Sequence, residues 1–358
     1  MADGTITWFA CDFVSGSIIT EFPSLAPQGP ISRRLGTYTS TAFNLDLSGA
    51  APDWRGASEY GRVLVVGVVG GLPIWVGSLT LRNAGSSPVA GVTASTFEGY
   101  LDRRYAGDMT YTATDLSLIA AGLLAPVQAT MSCLDVNAVA CGVVDDRTYA
   151  DSDDKSVCAN LTELMGVDGG PEWTVDPVWN SDRSGFRLLA RIAPTIGTGA
   201  LVPTAVFDYP GCVTSYEEAG SYEDGKGATV VKATGAGEGT DRAVSATYTS
   251  GLIAAGWPVY EYRWSPGSDI SDTAILDSHA QAALALMESG ASTWSLTAQV
   301  SEAPQLGVDW ALGDAVRLVV APGSSPGHPD GVDVTERAWS WSWDTSAQTV
   351  SPVLVEGT

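Results

Sequence analysis

Basic residues and histidine are scarce in this chain of 358 residues: 18 Lys+Arg stand against 41 Asp+Glu, and there are two histidines. The formal charge of −23 repels polyphosphate and anionic membrane surfaces alike, which argues against sequence-specific nucleic-acid binding. Any histidine-dependent triad or metal cluster has to use His279 or His328, and neither has supporting ligands nearby in sequence. The five cysteines (Cys11, Cys133, Cys141, Cys158, Cys212) are odd in number, widely spaced and free of any C-x-x-C pair. They indicate neither a zinc site nor a disulfide framework and read as buried thiols. The stretch from Met1 to Trp8 lacks the basic start and apolar run of a signal peptide, so the expectation is a chain that starts here and matures in cytoplasm. Val63 to Leu81 runs without a charge between Arg62 and Arg82, close to spanning length. Gly70-Gly71 and Pro73 interrupt it at its middle and both halves are β-branched, so it reads as a hairpin and no membrane anchor is expected.

What is present is apolar and turn-rich. Hydrophobic residues make up 45% of the chain and charged ones 16%, with 12 Trp and 12 Tyr to fill cores and interfaces. Gly (40) and Pro (19) imply many turns and few long helices, hence a mainly β architecture. Strand-like runs fall at Thr5 to Phe13, Ser17 to Phe22, Thr39 to Leu47, Arg62 to Val69, Leu72 to Leu81 and Val89 to Tyr100. From about residue 101 the period changes. Thr114 to Leu124 predicts a helix capped by Thr114 with Pro126 beyond it, and Ser156 to Met165 a second one, with a polar, acidic loop at Asp145 to Asp154 between them. Glu172 to Asp176 and Gly185 to Ala193 predict a strand pair. Strands return at Ala205 to Asp208, Gly227 to Ala233, Ala243 to Thr249 and Tyr260 to Trp264, followed by a helix over Asp272 to Ser289. In that helix Ile275, Leu276, His279, Ala282, Ala283, Leu286 and Met287 lie on or near one face. Four more strands end the chain: Thr293 to Val300, Ala315 to Ala321, Val332 to Asp344 and Thr349 to Val355. The Trp residues of Ala338-Trp-Ser-Trp-Ser-Trp343 alternate, which predicts one aromatic face. The fold class expected is therefore mainly β with an α+β insert: β-barrel domains over 1–100 and 201–358, the latter with one long helix (272–289), flanking an α+β domain over 101–200. Arg62 to Arg82 and Ala315 to Trp343 share a strand, Gly-rich connection, strand pattern, a hint of a common plan in the two ends.

The chemistry on offer is thin. Gly323-Ser-Ser325-Pro-Gly327 matches the pattern of a nucleophile elbow, but an elbow leads into a helix, and Pro326, Gly327, Pro329 and Gly331 forbid one. It reads as a loop, and His328 stands too close to serve as its base. His279 reads as a helix-face residue half in the core. Asp145-Asp146 with Asp151, Asp153 and Asp154 match no calcium-loop spacing and read as a solvated loop, as do Glu217, Glu218, Glu223 and Asp224. Gly67, Gly70, Gly71 and the Gly235 to Gly239 run read as turns, not phosphate loops. No catalytic, cofactor-binding or metal-binding residue is assigned, and the expectation is a protein that is not an enzyme.

Five segments carry a family resemblance. They are Ile74-Trp75-Val76-Gly77 after the hairpin turn, Val92 to Arg104 ending Gly99-Tyr-Leu-Asp-Arg-Arg104 with the helix Asp115 to Leu124 after it, Trp173 to Arg191 with Trp179 and Gly185-Phe-Arg-Leu, the long helix, and Gly313-Asp-Ala-Val-Arg-Leu318 after Pro304. Together they resemble minor tail proteins that form the baseplate, or tail-tip, hub of long-tailed bacteriophages, especially those infecting actinobacteria. The resemblance implies a homotrimer with two tail-tube-like barrels per subunit, which binds a distal tail protein, the tape-measure protein and a tip or spike protein. It implies a virion component, assembled in the host cytoplasm, that closes the tail tube and lets DNA pass. Alternatives from other classes are a tail-associated cell-wall hydrolase and a receptor-binding tail protein using exposed Trp and Tyr.

Overall fold

A computed structural model of the protein describes residues 5–50, 52–198, 202–266 and 270–355. The chain forms two compact units, one from the residues up to Tyr216 together with those from Ser295 on, the other from Glu217–Trp294.

The first part of the larger unit contains β1 (Thr7–Asp12), β2 (Ile18–Glu21), β3 (Leu25–Pro27), β4 (Ile31–Arg34), β5 (Ser40–Asp46), the single-turn helix α1 (Trp54–Ala57), β6 (Val63–Val69), β7 (Leu72–Asn83), β8 (Val89–Thr96) and α2 (Glu98–Leu101). Seven of these strands form one antiparallel sheet in the order β2-β1-β6-β7-β8-β5-β3. The charge-free stretch is the β6–β7 hairpin: Val69 pairs with Leu72, and Gly70 and Gly71 take φ of 57° and 85°, the two left-handed positions of a tight hairpin turn. Gly67, read as a turn, instead lies inside β6, and a Cβ there would stand 2.7 Å from the Trp8 ring. Every residue of β6 is buried, which explains why its sequence is a continuous apolar run rather than an alternating one. The expected strand Val89 to Tyr100 ends at Thr96 and gives way to α2.

The insert follows as β9 (Met109–Asp115), α3 (Leu116–Gln128), β10 (Leu134–Ala138), β11 (Val144–Tyr149), α4 (Val157–Met165), β12 (Glu172–Trp179) and β13 (Phe186–Ala193). Sheet β10-β13-β12 carries a parallel pair (β10 with β13) and an antiparallel one, while β9 and β11 form a separate ribbon. Ile119, Leu123 and Val127 of α3 and Leu161 and Leu164 of α4 share one core with Leu188 and Ile192 of β13 and with Leu64, Val66 and Val68 of β6. Three expectations are corrected here. Half of the acidic loop Asp145 to Asp154 is strand β11, because its alternation along Val144–Tyr149 pairs it with β9. The cap of α3 is Asp115, not Thr114, since the Asp115 carboxylate accepts from the Ser117 amide at 2.9 Å. Pro126 lies inside the last turn of α3, and Arg104 Nη2 donates to its carbonyl at 3.1 Å, satisfying a helix-end acceptor. For α4, Ser156 is the cap, its side chain accepting from the Ala159 amide.

The second large sheet uses β14 (Ala205–Tyr209) and β15 (Val213–Ser221). Between β15 and the rest of that sheet the chain forms the smaller unit, with β16 (Val230–Ala233), β17 (Tyr248–Thr249), β18 (Glu261–Trp264) and α5 (Thr273–Met287). The sheet is completed by β19 (Ala291–Gln299), β20 (Ala315–Val320), β21 (Val332–Asp344) and β22 (Thr349–Val355). Its order is β14-β20-β21-β22-β19-β15, with β4 also paired to β21. β21 is long enough to hold two partners on one side: β20 along Val332 to Arg337 and β4 along Ser340 to Trp343. A bulge between Ala338 and Ser340 breaks the alternation, so Trp341 and Trp343 are buried and Trp339 is only half-buried under Arg337.

The smaller unit, described by itself, packs α5 on the sheet β17-β16-β18. Asp272 caps α5 by accepting from the Ala274 amide at 2.8 Å. Its buried stripe is Leu276, Ala280 and Met287, whereas Ile275 and Leu286, read as part of that face, are 47% and 61% exposed. The strand expected over Ala243 to Thr249 shrinks to Tyr248–Thr249.

Candidate functional site

The two large sheets have a common strand order. Leave out β2 and β4 and number the six remaining strands of each sheet in chain order. Both sheets then read first, fourth, fifth, sixth, third, second, with β1, β3, β5, β6, β7 and β8 matched by β14, β15, β19, β20, β21 and β22. The two hairpins noted in the sequence, Arg62 to Arg82 and Ala315 to Trp343, fall on the fourth and fifth positions of both. One difference is direction: β1 runs antiparallel to β6, and β14 parallel to β20. The outermost strands are β2 and β3 in one sheet and β14 and β15 in the other. Glu217 and Glu218, read from sequence as a solvated acidic group, lie on β15, where charge on an outer strand opposes indiscriminate pairing.

Where the three segments of the larger unit meet, they are tied by buried charge. Arg33 of β4 reaches Asp176 of β12 at 2.7 Å, the Val175 carbonyl at 2.8 Å and Glu98 of α2 at 3.8 Å. Asp176 also accepts from Arg191 of β13 at 2.6 Å, and Glu98 accepts from the Val175 amide at 3.1 Å. Burial alone would raise both carboxyls. Two guanidinium groups outweigh it at Asp176, whose carboxyl is held below its ordinary range, while at Glu98 burial wins and the carboxyl is raised. Arg337 of β21 and Glu172 of β12 form a second pair. None of these pairings was visible in the sequence. Arg33 sits in a four-residue strand with no apolar period, and its ion-pair partners lie up to 143 residues away in the chain.

The candidates for chemistry are dispersed. Ser325 lies in the turn-rich connection from β20 to β21, with no helix after it, and His328 Nδ1 is 3.0 Å from the Tyr216 hydroxyl. His279 is half-buried with its ring edge-on to Trp264. Asp145 pairs with Arg147 at 2.9 Å and Asp146 accepts from the Ala113 amide. Among the described residues no three His, Cys, Asp or Glu side chains come together as metal ligands. Four cysteines are buried and Cys141 is half-buried, with its thiol toward Asp115. Burial pushes the Cys133 and Cys158 thiols up to about 11, which keeps them protonated and unreactive. No helix among the described residues is long and apolar enough to cross a membrane.

Solved structures of tail proteins match the chain over almost its whole length. The 43 kDa tail protein of prophage MuSo2 from Shewanella oneidensis aligns over 98% of this chain and 97% of its own, with a TM-score of 0.60 and 13% identity. A tail protein from Neisseria meningitidis aligns over 98% and 96%, with a TM-score of 0.58 and 14% identity. The chain has the fold of phage tail proteins. Prophage tail protein gp18 from Listeria monocytogenes agrees, with a TM-score of 0.56 and 11% identity over 98% of this chain and 94% of that one. No family model and no curated protein matches by sequence.

Proposed function

We propose that the chain is a structural, non-enzymatic subunit of a phage virion, the tail-tip hub, and that it works as a closed homotrimer. In this reading 1–100 and 201–358 supply two barrel domains and 101–200 the domain between them. The observation that carries it is the shared strand order of the two large sheets. A subunit with two like sheets presents six like sheets around a threefold ring, so it can meet a sixfold tube with near-equivalent contacts. Full-length likeness to tail proteins supports the setting. The neighbours implied are a distal tail protein above, a tape-measure protein inside and a tip or spike protein below. With a charge of −23 on each subunit, self-repulsion opposes closure, so the ring is held by apolar contacts and tightens as salt screens the repulsion. Light scattering across a salt series tests this, with a trimer mass expected at high salt. A monomeric mass at high salt and high concentration, together with particles carrying a copy number other than three, overturns it.

A further inference from the structure

Asp3, Asp168, Asp224 and Asp330 are each followed directly by glycine, and no asparagine is. Asp-Gly is the pair in which the backbone most readily attacks its own side chain, because glycine has no Cβ to obstruct the ring that forms. The amide nitrogen after the aspartate has to reach the side-chain Cγ. The pair therefore reacts where carboxyl and amide are both free and the backbone between them can turn. Asp3 lies outside the described residues.

Two of the other pairs are held. The Gly331 amide donates to the His328 carbonyl at 3.0 Å, and a Cβ on Gly331 would stand 2.6 Å from the Val320 carbonyl oxygen. Asp168 is engaged by another group, and a Cβ on Gly169 would stand 3.0 Å from the Val143 side chain.

Asp224-Gly225 is not held. It forms the middle of a turn closed by the Lys226 amide, which donates to the Glu223 carbonyl at 2.9 Å. Gly225 takes φ of 77°, the left-handed third position that such a turn reserves for glycine. The central peptide of a turn takes no part in its closing bond, and among the described residues nothing accepts from the Gly225 amide or engages the Asp224 carboxyl. Lys226 does not compete for that carboxyl, since it pairs with Glu223 at 2.7 Å. Asp224, Gly225 and Lys226 are all exposed, and a Cβ on Gly225 would meet nothing within 4 Å, so water reaches the pair and the turn has room to rotate.

We propose that Asp224-Gly225 is a site of spontaneous isoaspartate formation. The Gly225 nitrogen adds to Cγ of the protonated Asp224 carboxyl, and one water leaves, made of the carboxyl hydroxyl and the amide proton. The product is a five-membered succinimide. Water then adds to one of its two carbonyls. Breaking the bond between nitrogen and Cγ returns aspartate; breaking the bond between nitrogen and the backbone carbon routes the chain through the side chain, one methylene longer. Nothing is oxidised or reduced, and the mass is unchanged. Tyr222, beside the turn, packs on Trp257 and Tyr260 at 5.6 and 5.0 Å between ring centroids, so the longer backbone enters next to an exposed aromatic patch. The inference concerns the smaller unit alone and does not depend on the hub reading.

The test uses the full chain, held for weeks in warm neutral buffer and then digested. Isoaspartate is read by enzymatic methylation and by electron-transfer fragmentation of the separated peptides. Isoaspartate at Asp224 is expected to exceed that at Asp168 or Asp330 about tenfold, equivalent to ~1.4 kcal/mol of barrier. Asp224→Glu keeps the charge but would need a six-membered ring, so it should silence the site. In urea, where turns and packing are lost, Asp168, Asp224 and Asp330 should react at similar rates. Absence of isoaspartate at Asp224 overturns the proposal. So does conversion at Asp168 or Asp330 that matches it in the folded chain, or a preference for Asp224 that persists in urea.

Discussion

Arg337 and Glu172 form a two-pronged ion pair, Nη1 to Oε1 and Nη2 to Oε2 at 2.6 Å each, between β21 and β12. Both residues are buried, and the guanidinium also donates to the carbonyls of Ile196 at 2.9 Å and Gly313 at 3.2 Å. Truncating one partner leaves the other as an uncompensated buried charge. Glu172→Leu is therefore expected to cost about 3–5 kcal/mol in urea unfolding, and the double variant Glu172→Leu, Arg337→Met to recover much of that loss. A double variant as unstable as the single one would show that the carbonyl contacts, not the charge pair, carry the stability.

Asp115 makes a second, milder prediction. Besides capping α3 it accepts from the amides of Gly142 at 2.7 Å and Cys141 at 3.2 Å. Burial works to raise its carboxyl, but these amide bonds prevail and lower it. Asp115→Ala should cost about 0.5–2 kcal/mol, and Asp115→Asn less, since the one amide oxygen of Asn can still cap Ser117 while its NH2 cannot accept from Gly142. A carboxyl with a lowered folded-state value stabilises above its unfolded value and loses that contribution as pH falls through the folded one. Chemical unfolding of the wild type and Asp115→Asn at a series of pH values should thus show a gap near neutrality that closes in acid. A gap independent of pH would count against the ionised cap.

At Gly77 the backbone packs too closely for any side chain. A Cβ there would run into the Trp75 ring and stand 2.8 Å from the Ser95 carbonyl oxygen. Gly77→Ala is expected to destabilise by about 1–3 kcal/mol through overpacking, read as a lowered urea midpoint at an unchanged slope. Gly91, whose added Cβ meets nothing within 4 Å, is the control. Equal effects at the two positions would point to backbone freedom rather than crowding.

Ser325→Ala tests the non-enzymatic reading. The loop around Ser325 leads into no helix, so the variant should leave particle assembly and infectivity unchanged. Loss of a measurable cell-wall hydrolysis in that variant, read by zymogram, would defeat the reading.

Local pattern alone determined much of this protein. The alternation of Val332–Asp344 and Thr349–Val355 placed both strands at their observed ends, and Gly70-Gly71 between β-branched runs specified a hairpin. Ser156 and Asp272 marked two helix starts, because a short polar side chain satisfies amides that lie within three residues of it. The scarcity of histidine and the Pro-rich surroundings of Ser325 spoke against familiar catalytic constellations without any coordinates. Strand partners were beyond reach, since pairing is decided by which apolar faces can be buried together, and periodicity carries no address. β4 illustrates the limit: four residues with two arginines pair with a strand some 300 positions away, and Arg33 acquires Asp176 and Glu98 only because that pairing brings it beneath β12. The common strand order of the two sheets, and the buried pair of Arg337 with Glu172, arise in the same way. They are set by contacts between distant segments, where burial fixes the partners and sequence distance does not.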